Sequence, residues 1–405
     1  MAKRVTIGLS LSLTGEYAAM GRQAEAALRL LAADLNASAG VRVGGEFHEV
    51  ALECVDDASD ARRCAEIYRA MVAERRADLL MGPYSSALVR AAAPIAEEAR
   101  MVLINHGGAA DGLYERGWRM IVGVLSPASS YLTGFIRLLA TLKFWRKRLA
   151  IVAQNSPFAS AVAGGAERAA AERVARRRGV RVRVKWNGEF DPATTPANLF
   201  PALRRNRVNA LLSAGSFAHD VAVIRAIAAS QLDIPVLACV AAGVERFGIE
   251  LGEHAEGIVG PSQWEESAQL KPAIGPAPAA FARRMRAAGA ACDYVAAQAF
   301  AAGLLAKAAL EAAGALDQER IRSAFSNLRT STLFGDFAID PATGRQDGHK
   351  MLLVQWHRAS KVIIEPEPDA GPGTLAMLPG LRLIAAGLEM LRQGRRDEDD
   401  ERDRD

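Results

Sequence analysis

The sequence predicts an α/β protein built from two doubly wound, parallel-sheet lobes. Short apolar segments alternate with longer amphipathic ones, as parallel strands and their crossover helices do. The alternation runs through the chain twice, the second series starting near Leu149. The chain has 405 residues, and single cores rarely grow past about 250–300.

In chain order, strands are expected at Val5–Ser10, Glu49–Cys54, Asp78–Met81, Met101–Asn105, Leu149–Ala153, Val180–Lys185, Ala210–Ser213 and Pro235–Val240. Helices are expected at Arg22–Asn36, Ala61–Ala73, Leu88–Ala99, Tyr131–Phe144, Phe158–Arg178 and Asp220–Ala229. In the first of these, Ala27, Leu28, Leu31 and Leu35 form one stripe, as packing on a sheet requires. Tyr294–Ala313 is apolar nearly all round and reads as a helix buried between neighbours. A short helix (Gln318–Ser326), a turn at Asp340–Gly344 and a strand at Met351–Trp356 follow. Beyond Glu367 a Gly/Pro linker, an amphipathic stretch at Leu378–Arg392 and a charged tail from Gly394 to Asp405 are expected, the tail disordered.

Half of the residues are hydrophobic and a quarter charged, and the net charge of +4 is too small for a dedicated nucleic-acid binder. Cys54, Cys64, Cys239 and Cys292 form no CxxC pair, and Cys54 and Cys239 read as buried free thiols in strands. The first strand is expected from Val5, with no export signal expected ahead of it, so either such a signal is removed or the protein is cytosolic. No run of about 18 apolar residues occurs, so no transmembrane segment is expected.

GxxxxGK[ST], HExxH and GxSxG are missing, no GxGxxG follows the first strand, and the six histidines lack metal-ligand spacing. The chain therefore reads as a binder and not an enzyme, with no cofactor and no metal. Asp56 and Asp57, after the second strand, read as loop-ordering carboxylates. Small and hydroxylic residues collect instead at the carboxyl ends of parallel strands, where open α/β sheets place ligands.

Four such places stand out. After the first strand, Gly15 and Gly21 permit a tight path, and Tyr17 and Met20 either wall a pocket or belong to an ordinary loop. Tyr84, Ser85 and Ser86 sit where a helix begins, so the serines either hold an anion with the helix dipole or only cap the helix. In Asn105-His106-Gly107-Gly108-Ala109 the glycines let a ligand approach the backbone, and His106 is either a contact or a loop histidine. In the second series Phe158 follows Asn155-Ser156-Pro157 and Phe217 follows Ser216; each aromatic is either a ligand clamp or core.

Ile7–Gly15, Asp56–Asp60, Gly82–Ser86, Ala255–Gly257, Tyr294–Gln298 and Phe334–Asp340 together resemble the leucine/isoleucine/valine-binding proteins of bacterial ABC importers, from about residue 4 to 366. The resemblance implies a type I periplasmic-binding fold with a cleft, its lobes joined by three crossovers: residues 1–124 with 260–348, and 125–259 with 349–366. It implies a small-molecule ligand (an amino acid, carboxylic acid or amide), a membrane permease as partner and a periplasmic location. It also places Ser86 at the ligand carboxylate, Gly107 at the α-ammonium and Phe158 over the ligand.

The departures are informative. Ala109 replaces a threonine and Ser216 an aromatic, and Ser59 and Ser85 occupy positions of a disulfide in some members. Ala241 stands where an acid normally pairs with the α-ammonium, and an unpaired buried ammonium costs several kcal/mol. The ligand is therefore expected to keep a carboxylate or amide but need not carry an α-ammonium. The rival reading is a cytosolic sensor of the same fold regulating a partner protein, favoured by the missing export signal and the added tail.

Overall fold

The alternating strands and helices between Arg4 and Gly123 build a six-stranded sheet. The computed structural model describes residues 3–142 and 146–365. Contacts divide the chain into two units: unit 1 is Met1–Pro127 with Gln263–Lys350, and unit 2 is Ala128–Ser262 with the chain from Met351. The amphipathic stretch 378–392 and the charged tail lie outside the described residues, as does Phe144.

Unit 1 opens with β1 (Arg4–Leu11), α1 (Ala18–Ala37), β2 (Val41–Val43), β3 (Glu46–Asp56), α2 (Ala61–Ala73), β4 (Leu79–Met81), α3 (Ser86–Glu98), β5 (Leu103–Asn105) and β6 (Ile121–Gly123). The order across the sheet is β2-β3-β1-β4-β5-β6, parallel except for β2, which runs antiparallel to β3. β1 lies inside the sheet with Ile7 between Leu52 and Leu79. Val5, Ile7, Leu9 and Leu11 are buried along with Gly8 and Ser10, the near-continuous burial of a strand covered on both faces. α1 buries Gly21, Ala24, Ala27, Leu28, Leu31 and Leu35 at helical spacing. A Cβ on Gly21 would sit 2.0 Å from the Ser12 carbonyl, so only glycine lets the helix close on the strand end here.

Unit 2 holds α4 (Thr133–Thr141), β7 (Arg148–Ala153), α5 (Pro157–Ala171), α6 (Arg173–Arg177), β8 (Arg181–Asn187), α7 (Thr195–Arg205), β9 (Ala210–Ala214), α8 (Phe217–Ala229), β10 (Val236–Cys239), α9 (Glu245–Leu251) and β11 (Val259–Ser262). The helix expected over 158–178 breaks at Glu172, whose extended backbone (φ −59°, ψ 150°) ends α5 and starts α6. The break buries Ala175 while leaving Val174 64 % exposed.

The chain then returns to unit 1 with α10 (Pro278–Ala287), α11 (Tyr294–Ala313), α12 (Gln318–Asn327) and the hairpin strands β12 (Thr330–Thr332) and β13 (Gly335–Phe337). Among the described residues, α11 is the helix long and apolar enough to cross a membrane by composition, and 78 % of its apolar window is buried inside the protein. β14 (Leu352–His357) and β15 (Ser360–Glu365) complete unit 2. Its sheet runs β15-β14-β11-β10-β9-β7-β8, with β14 and β15 antiparallel at one edge. Trp356 of β14 packs on Phe247 and donates its indole N–H to the Ala242 carbonyl at 2.8 Å, so even this edge feeds the core.

All four cysteines are free. Cys64 and Cys239 are buried, whereas Cys54, expected to be buried, is only half-covered. The sequence β–α–β alternation thus produces mixed α/β units whose sheets are dominated by parallel pairs.

Candidate functional site

In unit 1 the turn after β4 carries the most unusual backbone. Ser85 caps α3: its hydroxyl oxygen accepts the Leu88 amide at 3.4 Å, and its carbonyl accepts Val89 N–H at 3.0 Å. It does so at φ 119° and ψ 153°, a region that residues with a Cβ rarely enter. Ser86, the first helical residue, accepts the Ala110 amide on its hydroxyl oxygen at 3.0 Å. That leaves the hydroxyl hydrogen able to donate, beside the Ser86 and Ala87 amides that have no intrahelical partner.

The turn after β5 is pressed against this one. A Cβ on Gly107 would lie 2.3 Å from the Pro83 carbonyl and 2.6 Å from the Tyr84 Cα, so glycine is what lets the two loops touch. Asn105 organises the second loop. Its Oδ1 accepts the amides of Gly107 and Gly108, and its Nδ2 donates to the Gly108 carbonyl and the Tyr114 hydroxyl. Both lone pairs and both hydrogens of this amide are therefore in use, so Asn105 shapes the loop and offers no further bond. His106 is fully buried, and burial pushes its imidazole down to about 4, leaving it neutral. Gly108, Ala109 and Ala110 are buried in the same loop.

Aromatic rings flank these turns. Tyr17, which immediately precedes α1, meets Tyr84 edge-on at 6.0 Å, and the Tyr84 hydroxyl lies 2.7 Å from that of Tyr294. Burial, and the negative charge of Glu16, raise the Tyr17 phenol above its ordinary value, while a hydrogen bond with Ser85 works against them. Tyr294 is a residue that reading the turns singly misses. It directly follows the Asp293 cap of α11, and its partner Tyr84 lies 210 residues away in the chain, so neither turn alone signals the pair. Met20, in the first turn of α1, is half-buried and takes no part in these hydrogen bonds or ring contacts.

The two carboxylates after β3 buttress this end of β1. Asp57 is buried and accepts both the Ser10 and Ser12 hydroxyls, at 2.9 and 2.6 Å. Asp56 accepts from Leu13 N, Thr14 N, the Thr14 hydroxyl and Ala58 N. Partial desolvation opposes its ionisation, but these bonds outweigh it and hold the carboxyl down to about 2. Both order the loop, and no group of three or more metal-ligating side chains occurs among the described residues.

In unit 2, Ser156 and Ser216 cap α5 and α8 with the same bond that Ser85 makes, at 3.2 and 3.3 Å. The Ser216 amide donates to Gln154 Oε1 at 2.7 Å, which ties the β7 and β9 turns together. Phe158 is half-buried and edge-on to Tyr131 at 5.4 Å. Phe217 lies under the Arg246 guanidinium at 4.4 Å and lines a groove of about 510 Å³ with Ala218, Val221, Arg225, Arg246 and Glu250. No hydrogen bond or ring contact described in unit 2 joins Phe158 to Phe217.

Ala241 is buried, and its amide donates to Asp220 Oδ2 at 2.9 Å. Asp220 is fully buried in the first turn of α8 and accepts the Ser213 hydroxyl at 2.7 Å. Burial drives its carboxyl up to about 6 against the pull of the Ala241, Ser213 and Val240 donors. The acid beside Ala241 is thus an internal strut joining β9, α8 and the turn after β10, and it has no exposed oxygen to offer an ammonium.

A sequence model of the periplasmic binding protein family matches residues 4–361. Among solved structures, a putative branched-chain amino acid ABC transporter protein from Rhodospirillum rubrum is 20 % identical, with a TM-score of 0.70, covering 89 % of this chain and 100 % of that one. The leucine-binding protein LivK of Thermotoga maritima is 18 % identical with a TM-score of 0.70, covering 90 % and 99 %. A solute-binding protein of an ABC transporter from Rhodopseudomonas palustris HaA2, in complex with p-hydroxybenzoic acid, is 16 % identical with a TM-score of 0.71, covering 90 % and 96 %. These likenesses agree with the type I periplasmic-binding fold that the strand and turn patterns imply. With its family match spanning nearly all of the described residues, the chain belongs to the periplasmic binding protein family.

Proposed function

We propose that the protein is the solute receptor of an ABC importer and that unit 1 grips its ligand by a carboxylate or amide oxygen at the start of α3. The Ser85–Ser86 turn carries this reading. Two uncommitted amides, a hydroxyl with a hydrogen to give and the positive end of a 13-residue helix converge there. A hydrogen bond to a charged group contributes roughly 1.5–3 kcal/mol, and a helix dipole about 0.3–1 kcal/mol. The strained Ser85 backbone supports the reading, because such strain persists where function holds it in place.

The ligand class follows from what stands opposite a carboxylate in an amino acid. Among the described residues, the acid in hydrogen-bonding contact with Ala241 is the enclosed Asp220. An α-ammonium without a partner would cost several kcal/mol. Aliphatic or aromatic carboxylates lacking that group fit better, and the p-hydroxybenzoic acid held by the Rhodopseudomonas relative is of this class. On this reading the protein works in the periplasm and hands its solute to a membrane permease.

A thermal-shift series compares leucine with 4-methylpentanoate, and 4-hydroxybenzoate with 4-hydroxybenzamide, since a ligand that binds only the folded chain raises Tm by mass action. The deaminated acids are expected to raise Tm at least as much as leucine. Clearly tighter binding of leucine than of 4-methylpentanoate would contradict the assignment.

A further inference from the structure

The chain passes between its two units at three places: Pro127/Ala128, Ser262/Gln263 and Lys350/Met351. Each is flanked on the unit 1 side by a buried polar residue, and the three are bonded to one another. The Gln263 side chain takes both backbone groups of Ser126, accepting its N–H at 3.2 Å and donating to its carbonyl at 3.1 Å. His349 Nδ1 lies 2.6 Å from the Ser126 hydroxyl oxygen, and His349 Nε2 lies 3.0 Å from the Gln263 carbonyl. The Ser126 hydroxyl is also 3.1 Å from the His349 carbonyl. Ser126, Gln263 and His349 are 1, 3 and 8 % exposed, and the imidazole stacks on Phe334 at 4.6 Å.

The chemistry closes the ring. Burial pushes His349 down to about 4, so its imidazole is neutral, with one nitrogen donating and one accepting. Nε2 faces a carbonyl and must carry the hydrogen, which leaves Nδ1 to accept from the Ser126 hydroxyl. A fully satisfied network in a desolvated site is stiff, because opening any member strands a buried polar group.

We propose that the Ser126–Gln263–His349 ring fastens the three inter-unit segments together so that they bend as a single hinge. The dihedral changes of any hinge motion then fall on the residues beyond the ring, since those within it cannot turn without breaking several buried bonds. The ring acts on ligand affinity without touching ligand. Cut, it lets the segments flex independently and lowers the share of binding-competent arrangements, and apparent Kd rises by the inverse of that share. Only this last consequence rests on the solute-receptor reading.

The test uses the full ligand-free chain, with spin labels carried on a ketone-bearing amino acid at Arg62 and Arg204, both exposed and in different units. Double electron–electron resonance reads the inter-label distance distribution. Ser126→Ala and His349→Phe, the latter keeping a ring against Phe334, are each expected to widen it at least about twofold. Their combination should widen it no further, as members of one network are not additive. A distribution of wild-type width in either folded variant would overturn the proposal. Should His349→Phe not fold, Ser126→Ala decides. Failure of the solute-receptor reading shows separately, as a wild-type Tm that no carboxylate or amide moves.

Discussion

Ser85 in unit 1 and Ser216 in unit 2 occupy the same local motif and solve it differently. Both follow a parallel strand, and both accept the amide three residues on, Leu88 or His219. Ser216 does this from ordinary extended backbone (φ −65°, ψ 164°), and so does Ser156 (φ −143°, ψ 154°). Ser85 does it at φ 119°. A helix cap alone therefore does not call for the Ser85 geometry, which costs on the order of 1–3 kcal/mol. Two contacts accompany it in unit 1: the Gly107 loop pressed against Pro83, and the Ser86–Ala110 bond. The Ser216 turn is distinguished in another way, by the buried acid one turn into its helix.

That acid gives the largest expected effect. The Asp220 carboxyl stands at about 6 in the folded chain against an ordinary 3.8. A folded value above the unfolded one means that its contribution is whole below about 3.8 and is lost as pH rises through about 6. At about 1.4 kcal/mol per pH unit the loss is on the order of 3 kcal/mol. Buried His106 and His349, held down to about 4, act the opposite way over the same window, so urea unfolding is read as a difference: Asp220→Asn should gain on the wild type by that amount between pH 4 and 6. An Asp220→Asn stability that runs parallel to the wild type from pH 4 to 6 would contradict a buried, raised carboxyl.

Glycine substitution at the two caps separates strain from capping. Ser85→Gly relieves the backbone while losing only a few tenths of a kcal/mol of cap and about 0.5–1 kcal/mol of chain entropy, so a net gain of roughly 1 kcal/mol is expected. Ser216→Gly has no strain to relieve and should lose about 0.5–1 kcal/mol. Melting curves of the two variants should move in opposite directions, and a fall in both would remove the distinction between the turns.

The framework was readable because it rests on local periodicity. α2 and α11 run over the residues that their apolar spacing marks, and the larger parallel strands agree within a few residues. β2, β6 and β11 were not anticipated: at three or four residues each they are too short to express a period. α7 and α10 hid behind Pro196 and Pro278, which sit in the first helical turn, where their missing N–H is harmless, yet read as breakers in sequence. The serine and glycine turns were legible for the same reason that helices are, since caps and tight turns are local chemistry. Tyr294, Asp220 and the Ser126–Gln263–His349 ring were not, because their partners lie in other elements, more than two hundred residues away for the Tyr84–Tyr294 and Ser126–His349 pairs. The same tertiary view adds what sequence could not: the Asn105 amide is committed to its own loop and His106 is enclosed.

The start of α3 is where the account stands or falls. Isothermal titration should compare the wild type with Ser86→Ala, using whichever carboxylate raises Tm most. Loss of one hydrogen bond to a charged oxygen predicts affinity weaker by about 1–3 kcal/mol, roughly 5- to 150-fold, measured on protein that is folded at the titration temperature, since the change also unpairs the Ala110 amide and lowers Tm. Equal affinity in the two proteins would show that the ligand does not use this helix end.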